Sequence, residues 1–313
     1  MTHSLAFVFP GQGSQSPGML AELAARDALV RAAFDEASEG AGVDLWTLAA
    51  GEGPEGMLDR TEYTQPALLA AGIGVWRLWQ AQGGATPQAL AGHSLGEYTA
   101  LVAAGALSLR DGAHLVRLRG QLMQDAAPAG VGAMAAVIGA DEALLAEVCE
   151  QASESQSVVM ANFNAPGQIV IGGHAEAVDR ALAALAERGV RKAVKLAVSV
   201  PSHTPLMREA ANRLAAAIAG LDWHLPALPV VQNVDAVVHP DIAAIQDALV
   251  RQLYLPVRWT ACIEALTARG ISRIGECGPG KVLSGLTRRI DKSLDARPLG
   301  SVADFEAARE AWA

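Results

Sequence analysis

Apolar and polar positions recur along the chain in two periods, and their order predicts a layered α/β protein. The run "LAFVF" at residues 5–9 is short and apolar and leads into the glycine loop "PGQGSQSPG", which reads as a strand ending in a tight turn. A helical pattern follows from Pro17 to about Ser38, opened by Ser16, whose hydroxyl can cap, and by a proline whose missing N–H costs nothing there. The same start recurs at Thr64, Gln65 and Pro66 and predicts a helix that stops near Gly83 and Gly84. "QALAG" reads as a short strand and "EYTALVAAGAL" as a helix with Glu97 in its favourable first turn. Residues 109–124 form a further helix capped by Ser108, with Leu115, Leu118 and Leu122 on one face and Arg119 one step round from that stripe.

From Gly132 the rhythm changes. "AMAAVI" reads as a strand, "DEALLAEVCEQA" as a helix, and "SVVMAN" and "GQIVIG" as two strands joined through "FNAP". "AEAVDRALAALAERG" is a helix and "KAVKLAV" a strand, so the order is βαββαβ, a ferredoxin-like unit. The first rhythm then resumes, with a helix from Thr204 and Pro205 to about Gly220, a strand "LPVVQNV" and a helix from Ile242 to Leu253. "ISRIGE", "KVLSGLTRRI" and "ARPLGS" close the chain. Alternating strands and helices predict a parallel-sheet α/β domain, made of residues 1–128 and 200–313, interrupted by the ferredoxin-like subdomain at residues 129–199.

Composition agrees with helices packed on a sheet, because the 51% hydrophobic content is carried by aliphatic residues and only 4% of residues are aromatic. A net charge of −9 argues against a general nucleic-acid binder, which needs a basic face. Cys149, Cys262 and Cys277 are too widely spaced for a disulfide framework or a zinc site, and fit a reducing, cytoplasmic setting. The apolar start lacks a basic n-region, and the longest apolar run, Ala67 to Trp76, ends at Arg77, so neither a signal peptide nor a membrane span is expected.

Candidate chemistry begins at "AGHSLGEYTA", where residues 92–96 spell Gly-x-Ser-x-Gly between a strand and a helix. That context suits a nucleophile on a sharp turn, with Ser94 Oγ exposed and the Leu95 N–H aimed at an oxyanion; the alternative is a serine in an ordinary loop. A serine hydroxyl needs a base. Among seven histidines, His203 in "SVPSHTP" lies on a loop between a strand and a helix, although a solvent-facing histidine remains an open reading. Asp111, Asp125, Asp141 and Asp179 fall between Ser94 and His203, and none sits in a loop that singles it out as the third member of a triad. Arg119 offers a rigid fork for a substrate carboxylate, or is a solvated helix arginine. Gln12, in the first glycine loop, could bring a second backbone N–H toward Ser94; the alternative is that the loop is only a turn. Two nucleotide motifs fail: "GECGPGKV" has Val282 where a P-loop needs Ser or Thr, and Ser16 replaces the third glycine of a dinucleotide fingerprint.

In chain order, "FVFPGQGSQ", "GHSLGEYTALVAAGALSL", "LVRLRGQLMQ", "NFNAPGQIVIGG", "SVPSHTPLM", "RQLYLPVRWT" and "GPGKVLSGL" resemble the malonyl-CoA:acyl carrier protein transacylases of bacterial fatty acid synthesis. The resemblance implies a hydrolase-like large domain with a ferredoxin-like insert. It implies Ser94 as the acyl-carrying nucleophile and His203 as its base, oriented by the backbone carbonyl of Gln252. Arg119 would pair with the malonyl carboxylate, and the N–H groups of Gln12 and Leu95 would hold the oxyanion. Malonyl-CoA and the phosphopantetheine form of acyl carrier protein would be the partners of a monomer that requires no metal or redox cofactor. A trans-acting polyketide acyltransferase shares every motif, and a serine thioesterase or esterase shares the nucleophile and base. One departure falls in "QLYLPVRW", where Leu255 and Arg258 replace an Asn and a Gln of the family pattern. Basic candidates for docking an acidic carrier are Arg191, Lys192 and Lys195, and Lys281, Arg288 and Arg289, each of which reads equally as part of a solvated helix or strand face.

Overall fold

A computed structural model describes residues 4–128, 130–196 and 200–312. Strand β1 (Ser4–Phe9) is buried along its whole length, as a central strand covered on both faces must be. The helix expected from Pro17 to Ser38 is instead a turn and two helices, α1 (Ala21–Arg26) and α2 (Ala28–Ala41). They part at Asp27, which adopts an extended backbone (φ −146°) and accepts the Leu29 N–H at 2.9 Å, so capping wins over helix continuation. Helix α3 (Leu45–Ala50), capped by Asp44, was not foreseen. Helix α4 (Thr61–Ala81) starts a turn before the expected Thr64 and carries Pro66 inside it.

Strand β2 (Ala89–Gly92) runs parallel to β1 with Phe9 opposite Gly92, so the loops leaving both strands emerge side by side. Helices α5 (Leu95–Ala103) and α6 (Leu109–Ala126) follow, the second capped by Ser108 as expected. Gly120 lets α6 approach α4 closely: a Cβ there would sit 2.7 Å from the Glu62 Cα.

The insert comprises β3 (Gly132–Ile138), α7 (Glu142–Ser153), β4 (Val158–Ala165), β5 (Gln168–His174), α8 (Ala175–Glu187) and β6 (Lys192–Lys195). Its antiparallel sheet has the order β4-β5-β3-β6, which is the ferredoxin-like arrangement. Strand β4 continues through Phe163, Asn164 and Ala165, where a longer connection was expected, leaving Pro166 and Gly167 (φ 69°) to make the hairpin. One sheet face packs Ala135, Val137 and Ile171 against α7 and α8, and the other presents Met134, Ala161 and Val170. Backbone bonds from Phe163 N to Val257 O (2.9 Å) and from Val257 N to Ala161 O (3.0 Å) tie the insert to the large domain. The boundary residues expected at 129 and 199 lie outside the described residues.

The chain returns through α9 (Arg208–Ala219), β7 (Val230–Val231), α10 (Ile242–Gln252) and α11 (Trp259–Ala268). It then adds β8 (Ile271–Glu276), α12 (Val282–Ile290), β9 (Asp295–Pro298) and α13 (Val302–Trp312). Strand β7 is only two residues long because Gln232 and Asn233 turn inward to buried polar partners. Helices α11 and α13 were not foreseen; α13 packs Phe305 and Trp312 edge-on against Trp79. The large sheet is parallel throughout, in the order β7-β2-β1-β8-β9, with a hydrophobic cluster on each face. Among the described residues no helix is long and apolar enough to cross a membrane.

Candidate active site

Ser94 sits between β2 and α5 with φ 53° and ψ −108°, a strained conformation for a residue with a side chain. Its flanking glycines make the turn possible. A Cβ on Gly92 would lie 1.8 Å from the Gly96 carbonyl oxygen, and one on Gly96 would lie 1.9 Å from that of Phe9. The strain is held from both sides. Asn233 Oδ1 accepts the Ser94 N–H at 2.7 Å while its Nδ2 donates to Gly92 O at 2.7 Å, and Gln252 Nε2 donates to Ser94 O at 2.9 Å.

His203 is buried, also at positive φ (62°), and its N–H is anchored to Leu253 O at 3.0 Å. Its Nε2 is 2.8 Å from Ser94 Oγ and its Nδ1 is 2.7 Å from the backbone oxygen of Gln252. A carbonyl only accepts, so Nδ1 carries the hydrogen and Nε2 turns its lone pair to the serine. Burial, reinforced by the Arg119 cation, pushes the imidazole down to about 3 against the opposing pull of the Gln252 carbonyl, so it is neutral and able to take a proton. The four aspartates are engaged elsewhere. Asp111 bonds Ser108, Asp141 caps α7, Asp179 pairs with Lys195, and Asp125 faces Arg213. Leu255 and Arg258 leave the Gln252 carbonyl on His203.

Arg119 is fully buried rather than solvated, and it lies within the buried stripe of α6, with Leu118 at the edge. Nη1 donates to Gln65 Oε1 (2.8 Å), and Nη2 to Gln252 Oε1 (3.0 Å) and Ser94 Oγ (3.3 Å). Its Nε has no partner, and among the described residues no carboxylate pairs with it. The Tyr98 ring lies 5.4 Å from Cζ. A buried cation so held is short of one thing, an anion.

Gln12, Thr61, His93, Asn162 and Asn164 join Ser94 and His203 around a cleft of about 180 Å³ between the large domain and the insert. A second cavity of about 180 Å³, which shares Gln12, His93 and Asn164, extends toward Val282 and Leu283. Gln12 is fastened by its Nε2 to Thr61 Oγ1 at 3.2 Å, and Leu95 opens α5, so its N–H has no acceptor within the helix. His93, the residue before the serine, lines both cavities and bonds Asn164 Oδ1 through Nε2 at 2.8 Å. Gln65, Asn164 and Asn233 were missed altogether. Each is an uncharged amide with other polar residues close by in sequence, which gives it no local mark of a site residue. Beside the "GPGKV" loop, Glu276 at the end of β8 accepts the N–H groups of Leu283 (3.0 Å) and Ser284 (2.7 Å), so a carboxylate already occupies the end of α12 that a phosphate would use. No group of three or more metal-ligating side chains occurs among the described residues.

A hydroxyl bonded to a neutral imidazole, beside a helix-opening N–H and an unpaired guanidinium, can be acylated by an ester or thioester that carries a carboxylate. Comparison with known proteins agrees with that chemistry. The acyl transferase domain family matches residues 6–274. The malonyl CoA-acyl carrier protein transacylase of Salmonella typhimurium is 53% identical over 303 residues, 97% of this chain and 98% of that protein, and that of Escherichia coli K12 is 52% identical over 305 residues. The crystal structure of the malonyl-CoA:acyl carrier protein transacylase of Xanthomonas oryzae covers 100% of both chains at 74% identity and a TM-score of 0.98. A complex described as a type II PKS acyl-carrier protein with its malonyl-transacylase matches at 49% identity and a TM-score of 0.96, covering 98% of this chain and 99% of that one. The chain belongs to the acyl transferase family and, within it, to the malonyl-CoA:acyl carrier protein transacylases.

Proposed function

We propose that this chain transfers the malonyl group of malonyl-CoA to the phosphopantetheine thiol of an acyl carrier protein, supplying extender units for fatty acid synthesis. The observation that carries the reading is Arg119, a buried guanidinium 3.3 Å from Ser94 Oγ with no carboxylate of its own. In the first half-reaction His203 Nε2 takes the Ser94 proton as Oγ attacks the thioester carbon, and the N–H groups of Leu95 and Gln12 receive the oxyanion. The C–S bond then breaks, CoA leaves as a thiol protonated by His203, and the malonyl group remains on Ser94. In the second, His203 takes the carrier thiol's proton, sulfur attacks the ester, and the proton returns to Ser94. The carbonyl of Gln252 holds the imidazole through both steps. Three buried free thiols support a reducing, cytoplasmic setting.

The relative bound to a polyketide carrier supports a second reading of the acceptor, with the same first half-reaction. Malonyl-CoA mixed with the protein should give a malonyl adduct by intact mass, absent in Ser94→Ala, that transfers to added carrier protein. Steady hydrolysis without a transferable adduct would overturn the reading in favour of a thioesterase.

A further inference from the structure

Glu97 lies in the first turn of α5, three residues after Ser94 in sequence, fully buried, and the transfer described above does not use it. Its Oε2 accepts the backbone N–H of Asn233 at 2.8 Å and Gln252 Nε2 at 3.2 Å, and its Oε1 accepts Gln232 Nε2 at 3.2 Å. Three N–H donors and no directly paired cation are an expensive setting for a carboxylate, so its partners matter. Two of them are the residues that hold the active serine. Asn233 grips the Ser94 N–H, and Gln252 grips the Ser94 carbonyl with its side chain and His203 with its backbone oxygen. Gln252 also turns its Oε1 to Arg119 and its Nε2 to Glu97, so one amide dipole bridges two buried opposite charges.

We propose that Glu97 is a positioning residue for acyl transfer, whose carboxylate grips Asn233 and Gln252 and through them fixes the Ser94 backbone and the carbonyl that orients His203. Ionised, it accepts from all three donors. Protonated, it presents a hydrogen of its own where only N–H groups face it, and one grip is lost. Burial, with a smaller contribution from the nearby Asp235 charge, pushes Glu97 up to about 7 against the pull of its donors. Asp235 is itself bonded by Arg251 at 3.2 Å and lies 3.2 Å from His239 Nε2, and the other ionisable neighbours are Tyr98, Arg119 on α6 and Cys262 on α11. Because Glu97 must be ionised to hold both Asn233 and Gln252, the reaction should slow as Glu97 takes up a proton.

The inference rests on the proposed function for malonyl-CoA, but a serine-directed sulfonyl fluoride reports on Ser94 without it. Wild type and Glu97→Gln are compared for malonyl-adduct formation and for inactivation by phenylmethylsulfonyl fluoride across the neutral range, with circular dichroism to establish folding. In wild type both rates should climb as pH rises through about 7. In folded Glu97→Gln both should fall about ten- to a hundredfold and that climb should disappear. Combining it with Gln252→Ala should cost less than the product of the single effects. Wild-type rates in folded Glu97→Gln, or slower rates with the climb still at pH 7, overturn the proposal. If Glu97→Gln does not fold, Glu97→Asp keeps the charge but withdraws it by one methylene; slowing with the climb retained supports the grip, and a wild-type rate overturns it. Sulfonylation that follows this pattern without any malonyl adduct would refute the proposed function and leave the role of Glu97 standing.

Discussion

Arg119→Ala separates recognition of the acyl group from the chemistry beside it. In the native site the guanidinium is fully buried and spends its hydrogen bonds on two carboxamides and the Ser94 hydroxyl, none of which neutralises its charge. A malonyl carboxylate supplies that charge, so removing the arginine leaves the anion buried and unpaired at a cost of ~3–5 kcal/mol. At ~1.4 kcal/mol per decade, acylation by malonyl-CoA should slow ~10²–10⁴-fold. Acetyl-CoA, which leaves the native guanidinium unpaired, should lose nothing from the truncation. The assay is the initial rate of adduct formation on Ser94 with each thioester, followed by intact mass. A malonyl-to-acetyl ratio within ~3-fold of wild type would refute the assignment. So would equal loss with both substrates, because Arg119 would then serve the Ser94–His203 pair rather than the acyl group.

Gln65→Leu removes the partner that aims Arg119 Nη1 at 2.8 Å and should raise KM for malonyl-CoA ~10-fold, with acetyl-CoA unaffected, in the same assay. Gly96→Ala forces a Cβ to within 1.9 Å of the Phe9 carbonyl, a backbone clash that no rotamer relieves. Its urea midpoint should fall by at least the equivalent of ~1–3 kcal/mol, and an unchanged midpoint would mean that α5 can slide off β1 freely. Two buried groups should tilt stability with pH in opposite senses. His203, depressed from 6.5 to about 3, binds fewer protons folded than unfolded, so it makes stability rise between those values. Glu97, raised from 4.5 to about 7, binds more protons folded, so it makes stability fall across that window. Urea titrations should therefore show a steeper fall between pH 4.5 and 6.5 in His203→Ala and a steeper rise in Glu97→Gln; slopes matching wild type would contradict both shifts.

The framework of the fold was legible where local preference and burial agree. The wholly apolar "LAFVF" became the central strand, Ser108 caps the helix it precedes, and the six elements of the insert appear in the expected order. Errors gathered where one residue outweighed its neighbours. Asp27 interrupts a helical pattern because its carboxylate satisfies a free N–H better than another turn would, and the apolar period on either side does not register the break. Strand β7 stops at Val231 because Gln232 and Asn233 answer a carboxylate distant in sequence. Helix α13 escaped notice because its anchors, Phe305 and Trp312, bind to Trp79 on a helix at the other end of the chain.

The site was legible in proportion to how local each requirement is. Ser94 announced itself because a turn at φ 53° needs glycine on both sides, and both glycines stand within two residues. The Gln252 carbonyl could not announce itself, since every residue has one; only the lack of an available aspartate hinted at it, and the geometry resolves that hint with a 2.7 Å bond. Arg119 is the sharpest case. An arginine at the edge of a leucine stripe reads the same whether it snorkels to water or points inward. What decides its direction is Gly120, since any side chain there would strike the backbone of α4 at Glu62 and separate the two helices. Close approach of α6 to α4 brings Arg119 to Gln65, and the remaining donors then face Ser94 and Gln252. The charge that selects the acyl group is written at residue 119, but the permission to bury it is written at residue 120.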